Sequence, residues 1–229
     1  MMKTVVIIPA YNEGRMIAKV VEEVRKVTPH VFVVDDGSAD ETAKAAVAAG
    51  AVVFRHVINR GQGAALRTGL EAALRAGAET LVTFDADGQM AASDIAALTA
   101  PLAAQLCDVV LGSRFLASAD SRPDTNMPLV RRWTLKAALF FTRLTTGLKL
   151  TDTHNGLRAF SREAAVKLNL HCDRMAHASE ILEEISQHGL RYREIPVTIK
   201  YTEYSMAKGQ KISGAVRIIK DLLISSWVK

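Results

Sequence analysis

Short β-branched runs, each broken by polar or charged residues and followed by a helical pattern, constrain the fold of this chain more than any other feature. Thr4 to Ile8 ends at Pro9-Ala10-Tyr11-Asn12-Glu13, and Val31 to Val34 ends at Asp35-Asp36-Gly37-Ser38. Ala51 to about Val57 leads to Asn59-Arg60-Gly61-Gln62-Gly63, and Thr80 to Phe84 stops at Asp85-Ala86-Asp87-Gly88-Gln89. Asp108 to Leu111 precedes Gly112-Ser113-Arg114. Between the runs, apolar residues recur at helical spacing. Ile17, Val20, Val21, Val24 and Val27 mark a helix over 13–27, with Asn12 as its cap, and Leu66, Leu70 and Leu74 mark another. An Ala-rich stretch to Ala49 and residues 93–106 complete the set. Strands alternating with helices imply βαβ units, hence an α/β fold with a Rossmann-like, mostly parallel sheet covered on both faces.

In such a sheet, ligands bind outside the carboxyl ends of the strands. The tips named above hold Tyr11, Glu13, Asp35, Asp36, Arg60, Asp85, Asp87 and Arg114, polar where the strand interiors are apolar. Asp85 and Asp87 are the most informative. Two carboxylates one residue apart, pointed to the same side by the period-2 geometry of a strand, repel each other unless a cation joins them. Hard oxygen ligands suit Mg²⁺ or Mn²⁺, which keep positions open for substrate phosphates. A solvated Asp-Gly turn is the simpler alternative for the stretch taken alone.

Two cysteines, Cys107 and Cys172, provide neither a disulfide framework nor metal-ligand spacing, which favours a reducing, cytoplasmic compartment. The apolar run at the N-terminus is too short for a signal peptide, and no stretch approaches the ~18 uncharged apolar residues of a membrane span. The net charge of +5 is unevenly placed: residues 1–112 carry 10 Lys/Arg against 13 Asp/Glu, and residues 113–229 carry 19 against 11. A basic half suits an anionic partner such as nucleic acid, phospholipid head groups or a phosphorylated substrate. No helix-turn-helix or RNA-binding signature supports nucleic acid.

Residues 128–146 are expected to form a helix in which Arg131, Arg132, Lys136 and Arg143 interleave with Trp133, Phe140 and Phe141. Residues 211–229 are also amphipathic and basic. Both suit a membrane interface, and both would also serve to close a core. Further helices are expected over 161–168 and 178–188, and a late strand over 192–201 with Pro196 favouring an edge.

Rival chemistries fail on their own motifs. Gly61-Gln62-Gly63 is an incomplete dinucleotide fingerprint, with Leu66 at the third glycine position. There is no Walker loop, no HExxH and no Ser-centred elbow. His154 and His177 read as satisfied structural residues rather than catalysts.

Ile7-Ile8-Pro9-Ala10-Tyr11-Asn12-Glu13, Val34-Asp35-Asp36-Gly37-Ser38, Asn59-Arg60-Gly61-Gln62-Gly63 and Phe84-Asp85-Ala86-Asp87-Gly88-Gln89 together resemble family 2 glycosyltransferases of the GT-A fold. The last motif is most similar to that of dolichyl- and polyprenyl-phosphate mannosyl, glucosyl and N-acetylglucosaminyl synthases. The resemblance is close over about residues 4–160 and looser beyond. It implies that Pro9, Tyr11, Glu13, Val34 and Asp36 hold the nucleotide base and ribose, with Arg60 and Ala86 beside them. It also implies that Asp85 and Asp87 bind the donor diphosphate through Mg²⁺ or Mn²⁺, with Gln89 as a further metal ligand. Asp87 and Arg114 would serve the reaction directly, Arg131 and Arg132 would meet a lipid phosphate, and Lys208 would bind phosphate from a C-terminal loop. Thr202 stands about where mannosyl synthases have a donor-binding arginine, which leaves UDP-sugars open beside GDP-mannose.

The expected activity is inverting transfer of a sugar from a nucleotide sugar to a polyprenyl or dolichyl phosphate. It would occur at the cytoplasmic membrane face, with peripheral membrane contact and room for a small membrane partner protein. One domain, 1–229, would be divided into a nucleotide-sugar half (1–112) and an acceptor half (113–229). A soluble enzyme acting on a sugar or protein hydroxyl would need a base, for which Glu180 or Asp152 is the candidate. A non-catalytic nucleotide-sugar-binding protein is the remaining alternative.

Overall fold

The computed structural model of the chain describes residues 3–116 and 139–200, apart from 141, 154 and 175. Its centre is a seven-stranded sheet of order β3-β2-β1-β4-β6-β5-β7. The strands are β1 (Thr4–Ala10), β2 (Val31–Asp35), β3 (Val52–Arg55), β4 (Thr80–Thr83), β5 (Val109–Ser113), β6 (Arg158–Ser161) and β7 (Tyr192–Pro196). The first four run parallel to one another, β5 and β7 pair in parallel, and β6 is inserted antiparallel between β4 and β5. The sheet is therefore mostly parallel, with one reversed strand that the alternation of runs and helices does not announce.

Period-2 alternation sorts the strand residues into two cores. Val6, Ile8, Val31, Val33, Val82 and Val110 face one side, where they meet helices α1 (Ile17–Arg25), α2 (Thr42–Ala48) and α4 (Asp94–Ala103). Val5, Ile7, Phe32, Leu81, Val109 and Phe160 face the other, under α3 (Gln62–Arg75), α5 (Arg162–Lys167) and α6 (His177–Gln187). Most of these side chains are fully buried, and each contributes roughly 1.5–3 kcal/mol by leaving water. Helix α3 lies so close to β1 that a Cβ at Gly69 would stand 2.3 Å from Ile7 Cγ2. The close helix–strand approach thus falls on Gly69, not on the position that Leu66 fills.

Several boundaries differ from the expectations. Helix α1 starts at Ile17, and Asn12 does not cap it. Asn12 adopts a φ of 54° instead, accepts from Ala39 N–H through Oδ1, and gives its own N–H to Ser38 Oγ. It therefore ties the end of β1 to the loop after β2. Strand β4 ends at Thr83, so Asp85 and Asp87 lie beyond it, and the strand-period argument for their orientation does not apply. The late strand is only five residues long and does occupy an edge, ending at Pro196. Residues 139–140 and 142–146 are helical; the rest of the expected 128–146 helix and the segment 211–229 lie outside the described residues.

Candidate active site

The carboxyl ends of β1, β2 and β4 and the start of α3 enclose a cleft of about 380 Å³. Pro9, Tyr11, Glu13, Asp36, Asp85, Ala86 and Asp87 all line it, so the structure gathers most of the expected nucleotide-sugar residues in one place. Tyr11 is half exposed at its rim, whereas Asp36 and Glu13 are buried. Val34 sits in the core one register step before the cleft, and the exposed Arg60 contributes its backbone N–H.

Asp36 organises the wall opposite the acidic pair. Its Oδ1 accepts from Arg60 N–H at 2.9 Å and its Oδ2 from Gly61 N–H at 2.7 Å. His56 Nδ1 lies 2.7 Å from the same Oδ1, and His56 Nε2 is 2.9 Å from Thr68 Oγ1. The loop 59–61 is thus pinned to the end of β2 by a buried carboxylate. Asp35 beside it accepts from Ser38 N–H, and Arg55 Nε lies 3.2 Å from its other oxygen.

At the cleft mouth, Gln62 Nε2 donates to Asp85 Oδ1 at 3.3 Å, and Asp87 Oδ1 accepts from Gln89 N–H at 2.9 Å. The Gln89 carbonyl accepts in turn from Lys200 N–H. The Asp85 carboxylate rests against Gly156, where a Cβ would come within 2.7 and 2.8 Å of its two oxygens. Loss of water, and next the negative charge of Asp87, pushes the Asp85 pKa up to about 7, against the pull of Arg158, Arg114 and Gln62. A buried carboxylate whose ionisation is opposed by a neighbouring carboxylate is a donor that a divalent cation would relieve. Among the described residues no cluster of three or more His, Cys, Asp or Glu gathers into a metal cage.

Arg114, just past β5, is held by Asp152 through a two-point fork, Nε to Oδ2 at 2.7 Å and an Nη2 bond to Oδ1 at 2.8 Å. Glu194 on β7 accepts from the backbone N–H groups of Thr151 and Asp152 and so fixes that loop. Asp152 is buried and is therefore the partner that orients Arg114. Glu180, the other expected base, accepts from His171 and Cys172 N–H groups and holds the 171–174 loop against α3. Both carboxylates are occupied with building the site. Arg131, Arg132, Lys208, Thr202 and His154 lie outside the described residues.

Two participants were not singled out from the sequence. Arg158 is almost fully buried and gives three N–H groups to the carbonyls of Asn155, Ala178 and Thr153; burial lowers its pKa to about 10. Gln62, inside the incomplete glycine motif, supplies the amide that meets Asp85. A glutamine opening a helix that faces an acidic strand tip was the available signal. Arg158 gave none, since its role depends on a reversed strand.

The family model for "Glycosyl transferase family 2" matches residues 5–168. The chain belongs to that family. It is a glycosyltransferase, and among its curated relatives is the UDP-N-acetylglucosamine–dolichyl-phosphate N-acetylglucosaminyltransferase of Methanococcus voltae. That relative is 35% identical over 238 residues, covering 95% of this chain and 94% of the relative. The polyprenol monophosphomannose synthase of Mycolicibacterium smegmatis is 32% identical over 217 residues, or 90% and 80% of the two chains. Among solved structures, glucosyl-3-phosphoglycerate synthase of Mycobacterium tuberculosis, in complex with Mg²⁺ and UDP, superposes with a TM-score of 0.67. At 19% identity, and covering 90% of this chain and 74% of that one, it establishes the shared GT-A fold of this glycosyltransferase.

Proposed function

We propose that this glycosyltransferase moves a hexosyl or N-acetylhexosaminyl group from a UDP- or GDP-linked donor to a polyprenyl or dolichyl phosphate, with inversion at the anomeric carbon. The observation that carries the acceptor is the commitment of Asp152 to Arg114 and of Glu180 to the 171–172 amides. A hydroxyl acceptor needs a base, and both candidate carboxylates are engaged with other groups, whereas a phosphate monoester is already ionised at neutral pH. The relatives named above, which act on dolichyl phosphate or make a polyprenol monophosphomannose, support the same reading.

On this reading the 380 Å³ cleft takes the nucleotide, with Pro9, Tyr11, Glu13 and Asp36 around it and the donor diphosphate at Asp85 and Asp87. Asp85, Asp87 and Gln89 would hold Mg²⁺ or Mn²⁺, which neutralises the charge that grows on the departing diphosphate. Arg114, aimed by Asp152, adds a fixed positive charge to the same end. At an effective dielectric of ~20, one unit charge at ~4 Å is worth about 4 kcal/mol, several hundred-fold in rate if realised only in the transition state.

The acceptor half begins after residue 112 and meets the membrane from the cytoplasmic side as a peripheral contact. Phe140 and Leu144, four residues apart on a helical segment, are 70% and 74% exposed beside the exposed Arg143, as an interfacial helix requires. Among the described residues no helix is long and apolar enough to cross a membrane. Arg131, Arg132 and Lys208 complete the phosphate contacts in this proposal.

The test is a screen of UDP- and GDP-sugars against short polyprenyl phosphates, following nucleoside diphosphate release with and without divalent cation. Release with lipid phosphate, abolished in Asp87→Ala, is the expected result. Turnover with hydroxyl acceptors alone, or cation-dependent turnover retained in Asp87→Ala, would overturn the proposal.

A further inference from the structure

Behind Asp85 lies a second, smaller cavity of about 110 Å³, bounded by α3, the end of β4, β6 and the start of α6. Gln62 and Asp85 line both this cavity and the nucleotide cleft, so the two spaces meet at the acidic pair. The volume suits one edge of a sugar ring, not a nucleoside. Leu66, Phe84 and Ile181 supply apolar lining, and Arg158 and His177 supply polar groups beside Gln62 and Asp85.

His177 is only 6% exposed. Its Nδ1 lies 2.7 Å from the Arg174 carbonyl, which can only accept, so the proton is on Nδ1. Burial drops the His177 pKa to about 4, which keeps the ring neutral and leaves Nε2 as a lone-pair acceptor. Nε2 has no hydrogen-bond partner among the described residues. The expectation of a satisfied histidine therefore holds for one nitrogen and fails for the other. Arg158 spends one N–H from each of its nitrogens on backbone carbonyls, which leaves one on each Nη. A buried acceptor, two guanidinium donors and an apolar lining match a neutral polyol, whose hydroxyls both give and take hydrogen bonds. An anion fits poorly, because the Nε2 lone pair and Asp85 both face it.

We propose that this pocket receives the edge of the sugar being transferred, with His177 Nε2 accepting a hydrogen bond from a ring hydroxyl or an acylamino N–H. The assignment rests on the nucleotide-sugar reading of the larger cleft. It makes His177 and Arg158 determinants of which sugar is taken, while the cleft residues choose the nucleotide.

The experiment is calorimetric titration of the full chain, with divalent cation, using UDP and GDP and their glucose, mannose and N-acetylglucosamine derivatives. Wild type is compared with His177→Phe, which keeps a ring but removes the acceptor, and with His177→Gln, whose Oε1 restores one. The expected result is an unchanged nucleoside diphosphate affinity in His177→Phe with a roughly tenfold loss for the preferred nucleotide sugar, partly recovered in His177→Gln. Thermal melts show whether each variant is folded; should His177→Phe not fold, His177→Leu, which also lacks the acceptor, gives the same comparison. A parallel loss for diphosphate and sugar conjugate would make His177 a loop support and overturn the proposal. Equal affinities in variant and wild type would also overturn it. Wild type binding no nucleoside diphosphate at all would instead refute the nucleotide-sugar reading, and this inference with it.

Discussion

Asp85→Asn tests whether the acidic strand tip is held at a cost to folding. The folded protein raises the Asp85 pKa from the ordinary 3.8 to about 7, so the native state holds that proton more tightly than the unfolded chain. Below about pH 4 both states are protonated and the residue is neutral in the balance. From about pH 4 to pH 7 the unfolded chain ionises first, and stability falls; above pH 7 the full penalty persists. At 1.36 kcal/mol per pKa unit the ceiling is about 4 kcal/mol. Asp85 keeps part of its surface open to cleft water, so about half of that is the better expectation. Asparagine retains the acceptor for Gln62 but carries no charge. In the absence of divalent cation, Asp85→Asn is therefore expected to melt roughly 4–8 °C above wild type at pH 8 and together with it at pH 4. The assay is a thermal melt followed by circular dichroism at both pH values, repeated with Mg²⁺ and a nucleoside diphosphate. Those ligands are expected to raise the wild-type midpoint by more than the variant's. A variant less stable than wild type at pH 8, or an equal offset at both pH values, would refute the reasoning.

Three further outcomes follow from the same geometry. Asp36→Ala removes the acceptor for Arg60 and Gly61 N–H groups and the partner of His56, so a loss of about 2–4 kcal/mol in urea unfolding and weaker nucleotide binding by calorimetry are expected. Gly69→Ala drives a methyl to 2.3 Å from Ile7 Cγ2 and is expected to cost about 1–3 kcal/mol in the same unfolding measurement, with residual activity per folded molecule intact. Arg114→Lys keeps the charge but not the two-point fork to Asp152; steady-state kinetics are expected to show kcat reduced at least tenfold with a smaller change in KM for donor.

Much of this molecule is legible in its residue order. The β-branched runs and helical spacings determine a sheet covered on both faces, because backbone pairing and apolar burial act locally and repeat. The polar tips determine where the ligand goes, since parallel strands deliver their carboxyl ends to one edge. Tertiary structure decided the rest. Residues far apart in the chain set the fate of each carboxylate: Asp36 was claimed by a loop 24 residues on, Asp152 by Arg114, and Glu180 by the 171–172 amides. The reversed insertion of β6 between β4 and β5 brought Gly156 and Arg158 beneath Asp85 and opened the small pocket beside His177. Period and composition report what one segment prefers. Which buried polar group finds a partner depends on long-range packing, and that alone tied Asp152 to Arg114 and Glu180 to the 171–172 amides and left one histidine nitrogen beside a cavity.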